Sequence, residues 1–225
     1  MMDTETGPES LSSALRSRTR TLHAKAERSG IVSDILLRRA TAQGYARYLS
    51  NLAPPYRQLE IGLERHSRTP GVRDFARREL YRSAALEADL LALVGPGGRN
   101  GLPPPSASSE RYARRIEEAA AGSGAGLIGH AYVRYLGDLS GGQVMKRLLE
   151  ESLGLPRRAL SFYEFPEIAD LAAYKRSFRD ALDAAPLSRS DREVVISTAI
   201  EAFSISIDVS DAVRRAVLET EAEPG

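Results

Sequence analysis

Apolar residues recur at the spacing of an α-helix along almost the whole chain, and this periodicity restricts its fold more than any other feature. In the stretch 11–28, for example, Leu15, Leu22 and Ala26 fall on one helical face at i, i+7 and i+11. No segment shows the strict alternation of a half-buried strand, and no repeat of fixed period is present. The pattern therefore predicts an all-α protein. The other helical stretches cover about 42–66, 72–93, 109–121, 126–153, 167–184 and 190–219.

Proline and glycine mark the places where these helices are interrupted. Pro54 and Pro55 lie inside the second stretch and are expected to kink or break it, because two backbone N–H donors are lost there. The run GPGGRNGLPPPSASS at 95–109 predicts a surface loop rather than a domain boundary, since helices of one style flank it. Ser190 and Glu193 have the spacing of a capping box at the start of the last helix.

Length and charge set the broad class of the protein. We expect one helical domain over residues 10–219, with disordered tails at 1–9 and 220–225. The 31 basic and 30 acidic residues leave a net charge of +1, so no global field draws the chain to nucleic acid. No apolar run approaches the roughly 20 residues of a membrane span. These features favour a monomeric cytoplasmic protein that binds neither nucleic acid nor membrane.

Several kinds of active site are excluded by residue type. The chain has no cysteine, which excludes disulfides, thiolate nucleophiles and cysteine-ligated metal. Neither a P-loop nor a Rossmann fingerprint is present. The histidines are His23, His66 and His130, and none belongs to the paired ExxH motifs of a di-iron carboxylate protein.

The stretch that begins at His130, HAYVRYLGDLSGGQVMKRLL, is unusual because it places three glycines within six residues. Each glycine inside a helix costs about 1 kcal/mol relative to alanine. Two interpretations stay open: a loop between two shorter helices, or a kinked helix whose bare backbone meets a flat ligand. Arg134, Asp138 and Gly141 share one face at i, i+4 and i+7. A surface salt bridge would explain the first two but not the glycines.

This stretch closely resembles the signature of the heme oxygenases, in particular their soluble, biliverdin-producing bacterial type. LSSALRSRTRTLHAKAE, near the N-terminus, is similar to the proximal helix of that family. The likeness covers about 10–218, and it implies a single-domain multi-helix fold with heme between a proximal helix and a kinked distal helix. Further matching segments are YRSAALEADL, FYEFPEI, AAYKRSFRDAL and EAFSISI.

The resemblance implies that heme is both substrate and prosthetic group. O₂ and electrons would open it to biliverdin, ferrous iron and CO, with attack at the α-meso carbon. The electrons would come from an external donor, a ferredoxin or a flavoprotein reductase, since the chain has no flavin or nicotinamide motif. His23 stands at the position of the axial iron ligand. Glu27, one turn later, would orient His23, although a solvated helix end explains it equally well.

On the distal side, the resemblance implies that Gly137 and Gly141 let the backbone approach the porphyrin. Asp138 would anchor a water network that delivers protons during oxygen activation. Taken alone, tyrosines in such a helix most often pack in the core with a bonded hydroxyl. The resemblance gives supporting roles in this network to Tyr56, Tyr132 and Arg134.

The two propionates of heme need cations at the mouth of the pocket. The resemblance places Arg16, Lys175 and Arg179 there, and arginine is well suited to planar carboxylates. Phe203 matches a residue that packs against the heme edge, although ordinary helix core also explains it. His66 and His130 receive no role.

Three features depart from the family pattern. Pro54-Pro55 lies in a helix that familiar members leave unbroken, Ser206 replaces a frequent asparagine, and the loop at 95–106 has its own composition. Two other classes of function are compatible with a helical heme-binding scaffold. One is a heme carrier or sensor without turnover, and the other is a different enzyme, thiaminase-like or di-iron, on the same scaffold.

Overall fold

The computed structural model describes residues 9–96 and 101–222, and its helices confirm the all-α prediction. In this part of the chain no residue belongs to a strand. Residues 1–8 and 223–225, which belong to the expected tails, and residues 97–100 of the Gly/Pro loop lie outside the described residues. The helices are α1 Leu11–Ala26, α2 Gly30–Leu36, α3 Ala42–Arg65, α4 Ser83–Val94, α5 Ala107–Ala119, α6 Ala125–Asp138, α7 Gly141–Leu153, α8 Leu171–Ala184 and α9 Arg189–Ala222.

Helix α9 forms the centre of the fold and packs against α1, α2, α5 and α6. Glycine permits the closest of these approaches. A Cβ atom on Gly129 of α6 would lie 2.5 Å from the carbonyl oxygen of Val195, so the two helix backbones touch directly. Because α1 and α6 both pack on α9, this helix fixes the two walls between which the site lies.

The expected helix at 72–93 is wrong in its first half. Residues Arg73–Phe75 and Arg78–Leu80 form short 3₁₀ turns, and α4 begins only at Ser83. The Glu60 carboxylate accepts the backbone N–H groups of Arg82 and Ser83 at 2.6 and 2.9 Å, which caps α4 from a different helix. A long-range contact therefore sets this helix start.

Three smaller differences concern helix ends. Helix α2 was not expected, and it begins at Gly30, whose φ of +49° suits glycine. Ser188, rather than Ser190, caps α9, since its Oγ accepts the backbone N–H of Asp191 at 3.1 Å. The last helix continues to Ala222, so that part of the expected C-terminal tail is helical.

Pro54 and Pro55 do not break α3, which runs through them from Ala42 to Arg65. A proline at position 55 leaves the carbonyl of Asn51, four residues earlier, without its helical donor. The Ser109 hydroxyl donates to that carbonyl at 2.6 Å, and the Asn51 side-chain oxygen accepts the N–H of Ser106 at 2.8 Å. Contacts from the start of α5 therefore replace the hydrogen bond that Pro55 removes.

Among the helices of the described ranges, none is both long and apolar enough to cross a bilayer.

Candidate functional site

A cavity of about 730 Å³ lies between α1 on one side and the junction of α6 and α7 on the other. Helix α9 supplies its inner wall through Phe203 and Ser206, and α8 reaches its mouth through Arg179. Of the site residues expected from the sequence, all but Tyr56 and Lys175 line this cavity. Those that do are Arg16, His23, Glu27, Tyr132, Arg134, Gly137, Asp138, Gly141, Arg179 and Phe203.

The α1 wall presents an imidazole to the cavity. Leu11, Ala14 and Leu15 of α1 are buried against the protein, whereas the His23 side chain is 57% exposed on the cavity side. Its Nδ1 lies 3.6 Å from Oε1 of Glu27, one turn later on the same face. The Phe203 ring meets the imidazole edge to face, with ring centres 5.8 Å apart. Glu27 and Phe203 therefore contact His23 from two sides, and Nε2 is the ring nitrogen that is left to bind a ligand in the cavity.

The opposite wall is formed where the backbone changes from α6 to α7. Helix α6 ends at Asp138, and α7 begins at Gly141 after two intervening residues. All three glycines lie inside helices, and only Leu139 and Ser140 separate α6 from α7, so the stretch is an interrupted helix rather than a loop over 137–142. A Cβ on Gly137 or Gly141 would meet no atom within 4 Å, so both glycines present bare backbone to open space. Gly142 differs, because a Cβ there would lie 3.0 Å from Cδ1 of Tyr163.

Asp138 carries the carboxylate of this wall, and its residue is only 9% exposed. The Tyr56 hydroxyl donates to its Oδ2 at 2.5 Å, which explains why Tyr56 belongs to the site without lining the cavity. Burial raises the pKa of Asp138 to about 6, although Arg134, Tyr56 and Arg82 act in the opposite direction. A carboxyl group with this pKa changes its charge near neutral pH.

Arg134 lies one turn before Asp138 and places its guanidinium beside two aromatic rings. Its Cζ is 5.8 Å from the ring centre of Tyr56 and 5.9 Å from that of Tyr112. The buried Nε has no hydrogen-bond partner among the residues that the structure describes. Ser206, opposite, donates its hydroxyl to the Ala202 carbonyl at 2.7 Å within α9. Arg134 is therefore held by ring contacts, and its buried Nε is left without a hydrogen-bond partner among the described residues.

The mouth of the cavity is positively charged. Arg16 and Arg179 line it as expected, but Lys175 does not. Lys175 lies one turn before Arg179 on α8, and its backbone carbonyl accepts from Nη1 of Arg179 at 3.3 Å. Arg20 also lines the cavity, although it was not expected from the sequence. Its position four residues after Arg16 and three before His23, on the same helical face, was the signal for it.

The other two histidines lie away from the cavity lining. His130 is 1% exposed, and its ring centre is 5.6 Å from that of Tyr112. Burial and the nearby Arg134 guanidinium lower the pKa of His130 to about 3, so it is uncharged at neutral pH. His66 bonds through its ring nitrogens to the Thr69 hydroxyl and the Ala120 carbonyl. These hydrogen bonds account for His66, whereas neither ring nitrogen of His130 has a hydrogen-bond partner among the residues that the structure describes.

Other lining residues were also missed, because nothing in their local pattern separates them from core. They include Val32 of α2, a helix that was not expected from the sequence, and Phe162 and Tyr163 of the 3₁₀ turn Ser161–Tyr163. The Asp89 carboxylate accepts the N–H groups of Ser161 and Phe162, both at 2.8 Å, and so fixes this turn against the cavity. The missed residues include Ser12, Val32, Tyr48, Met145, Phe162 and Tyr163.

Comparisons with known proteins agree with this geometry. The profile of the heme oxygenase family matches residues 9–212. The human protein named heme oxygenase 1 is 34% identical over 205 residues, which is 90% of this chain and 71% of the relative. Heme oxygenase 1 of the cyanobacterium Synechocystis sp. is 32% identical over 197 residues, or 88% of this chain and 82% of the relative.

Solved structures show the same likeness in three dimensions. The Synechocystis heme oxygenase-1 structure, a complex with heme, superimposes with a TM-score of 0.88 at 29% identity, covering 95% of this chain and 96% of that one. The heme oxygenase of Leptospira interrogans gives a TM-score of 0.85 at 33% identity, covering 91% of this chain and all of that one, 100%. The family profile spans most of the chain, and both kinds of comparison agree. This protein belongs to the heme oxygenase family.

Proposed function

We propose that this protein is an enzyme that opens heme, with O₂ and electrons, to biliverdin, ferrous iron and CO. The observation that carries the proposal is the pairing of two walls across one cavity. His23 presents an imidazole on α1, and Gly137 and Gly141 present bare backbone on the opposite side. A planar ligand that needs one axial nitrogen and clearance on its other face suits this arrangement.

The residues of the cavity fit heme in shape and charge. The open space beside Gly137 and Gly141 receives one face of a flat ring, and Phe203 lies at its edge. Arg16, Arg20 and Arg179 would pair with the propionates at the mouth. Lys175 would act as an outer cation one turn from Arg179. When bound, heme supplies the iron at which O₂ is activated, and it is also the molecule that is cleaved.

His23 would be the iron ligand, with Glu27 as its orienting partner. The distance of 3.6 Å from Nδ1 to Oε1 places Glu27 close enough to accept a hydrogen bond from His23 after a small adjustment of either side chain. Glu27 would thereby fix the imidazole orientation that directs Nε2 into the cavity.

Asp138 would hold and move protons on the distal side. Tyr56 donates to Oδ2, and we assign Oδ1 to a water that also contacts Arg134 or the Tyr132 hydroxyl. Because the pKa of Asp138 is raised to about 6, this carboxylate is ionised at neutral pH yet accepts a proton readily. The group would therefore pass protons toward the cavity without becoming an iron ligand.

Two finer features are part of the proposal. Cleavage would occur at the α-meso carbon, because the cations at the mouth set the rotation of the ring. Electrons would come from a separate ferredoxin or flavoprotein reductase that docks on the basic mouth, with the enzyme acting as a monomer.

Titration of the purified protein with hemin, followed by addition of ascorbate under air, tests the proposal. We expect a Soret band of histidine-ligated heme, its loss on reduction, and the appearance of biliverdin. The variant His23→Ala should lose the ligated spectrum and turnover, with partial recovery on addition of imidazole. The matched control His130→Phe should keep both, since His130 does not line the cavity.

A stable ligated complex that yields no bile pigment with any reductant would instead indicate a heme carrier or sensor. A wild-type spectrum in His23→Ala would show that the ligand is assigned wrongly.

A further inference from the structure

Asp183 joins α8 to the first turn of α1 beside the cavity mouth. Its Oδ1 accepts the backbone N–H of Ser12 and its Oδ2 accepts the Ser12 hydroxyl, both at 2.8 Å. Both oxygens of one carboxylate thus hold one residue of the neighbouring helix. The contact spans 171 residues of sequence, so it exists only in the folded chain.

The position of Asp183 is unfavourable within its own helix. It lies in the last turn of α8, where the carbonyl end of the helix dipole repels an anion. Ser12, in contrast, lies in the first turn of α1, where backbone N–H groups have no acceptor inside the helix. An aspartate at this place is therefore explained by α1 rather than by α8.

The contact lies one helical turn from two cations of the cavity. Arg16 follows Ser12 by four residues on α1, and Arg179 precedes Asp183 by four residues on α8. Both arginines line the cavity, whereas Asp183 itself does not. Ser12 lines the cavity as well, so Asp183 is placed to act on a ligand through Ser12 and through the helices that carry Arg16 and Arg179.

The first half of α8 is attached elsewhere. The Tyr174 hydroxyl donates to Oε1 of Glu79 at 2.6 Å, and the Arg77 guanidinium lies 5.2 Å from the Tyr174 ring centre. These contacts bind α8 to the region of the 3₁₀ turns and do not involve α1. The Asp183–Ser12 contact joins the second half of α8 to α1, beside the buried side chains of Phe178 and Leu182.

We propose that Asp183 is a positioning residue that fixes the separation of Arg16 and Arg179, and with it the rotation in which the cavity holds its ligand. The inference rests on the proposed function, because it takes the ligand to be a tetrapyrrole with two carboxylates. If the separation of the two arginines changes, the carboxylates have more than one favourable pairing, and the ring populates more than one rotation.

The test compares Asp183→Ala with Asp183→Asn and with a matched control, Asp170→Ala. Asparagine keeps an acceptor for the Ser12 N–H and a side-chain group that bonds the hydroxyl, so it should restore wild-type behaviour. Asp170 caps the start of α8 by accepting the N–H groups of Ala172 and Ala173 at 2.8 and 2.9 Å. Its replacement weakens the same helix through the loss of two hydrogen bonds without touching α1.

Three readouts separate positioning from folding: hemin affinity by Soret titration, heme rotation by proton NMR of the ring methyl signals, and the ratio of biliverdin isomers. For Asp183→Ala we expect about threefold to tenfold weaker hemin binding, a second set of methyl signals and a mixture of isomers. Asp183→Asn and Asp170→Ala should show one set of signals and the wild-type isomer. Ser12→Ala loses the hydroxyl bond to Asp183 but keeps the backbone N–H bond, so it should show a smaller effect of the same kind. It replaces Asp183→Ala in the test if that variant does not fold.

Wild-type affinity and one heme rotation in both Asp183→Ala and Ser12→Ala would overturn the inference while leaving the proposed function intact. A second set of methyl signals in Asp170→Ala, as strong as that in Asp183→Ala, would also overturn the inference. A general loosening of α8 would then be enough to explain the effect of Asp183→Ala. Failure of the wild-type protein to bind hemin would overturn the proposed function, and this inference with it.

Discussion

Asp138 is the residue whose ionisation is expected to govern activity. Burial raises its pKa to about 6, and the ionised form is the one that accepts hydrogen bonds from Tyr56 and water. We therefore expect the rate of biliverdin formation to fall about tenfold per pH unit once the pH drops below about 6. Steady-state rates with ascorbate between about pH 5 and pH 8 measure this. Asp138→Asn should be slow and insensitive to pH in that range, and a wild-type profile that stays flat through pH 6 would contradict the role of Asp138.

The same residue makes a prediction about stability. Because the pKa of Asp138 is higher in the folded than in the unfolded protein, the folded state binds the extra proton between about pH 4 and pH 6. Its contribution to the free energy of unfolding is therefore lost as the pH rises through that window. The free energy of unfolding of Asp138→Asn, taken relative to wild type, should therefore rise by about 2–4 kcal/mol from pH 4 to pH 7. Urea denaturation of the heme-free proteins measures this difference. A constant difference across this pH range would contradict the raised pKa.

At the level of elements, the α3–α5 contact compensates for Pro55, one of the two prolines inside α3. Ser109→Ala should lower the free energy of unfolding by about 1–3 kcal/mol, because the Asn51 carbonyl is then buried without a donor. Adding Pro55→Ala should recover most of this loss, since alanine restores the helical N–H for the same carbonyl. Denaturant unfolding of the two single variants and the double variant measures the coupling. Strictly additive effects would show that Ser109 and Pro55 act independently.

The junction of α6 and α7 makes a second prediction at this level. Gly141→Ala should leave stability within about 1 kcal/mol of wild type, because its Cβ meets no atom within 4 Å, but it should weaken hemin binding by narrowing the cavity. Gly129→Ala should do the reverse and destabilise the protein by about 1–3 kcal/mol, as its Cβ would lie 2.5 Å from the Val195 carbonyl oxygen. Thermal unfolding and hemin titration of both variants separate packing from ligand clearance. If the two variants changed stability and hemin affinity to the same extent, the distinction between these glycines would be wrong.

At the scale of the whole molecule, the distribution of charge matters more than its sum. The net charge is only +1, yet Arg16, Arg20 and Arg179 gather at the cavity mouth. With a reduced acidic ferredoxin as donor, we expect turnover at limiting donor concentration to fall about tenfold as salt rises from about 50 to 500 mM. Turnover with ascorbate should change little in parallel samples. A ferredoxin-driven rate that does not depend on salt concentration would argue against docking of the donor at the cavity mouth.

The sequence by itself determined the helical class, the approximate positions of most helices and several residues of the two walls. Helical periodicity is a local property, so it survives without knowledge of the fold. The same holds for His23, Gly137, Asp138 and Gly141, which stand in continuous segments whose pattern resembles one family. Lys175, taken from the same resemblance, does not line the cavity, because motif spacing does not state which way a side chain on α8 points.

Only the tertiary structure decided the features that depend on residues far apart in sequence. The start of α4 is set by Glu60, the continuity of α3 through Pro55 coincides with a contact from Ser109, and the Tyr56 hydroxyl meets Asp138 from 82 residues away. Asp183 and Ser12 lie 171 residues apart. In each case a group left without a partner by its own segment obtains one from another helix. Local pattern shows that such a group exists, but packing alone determines which distant residue satisfies it.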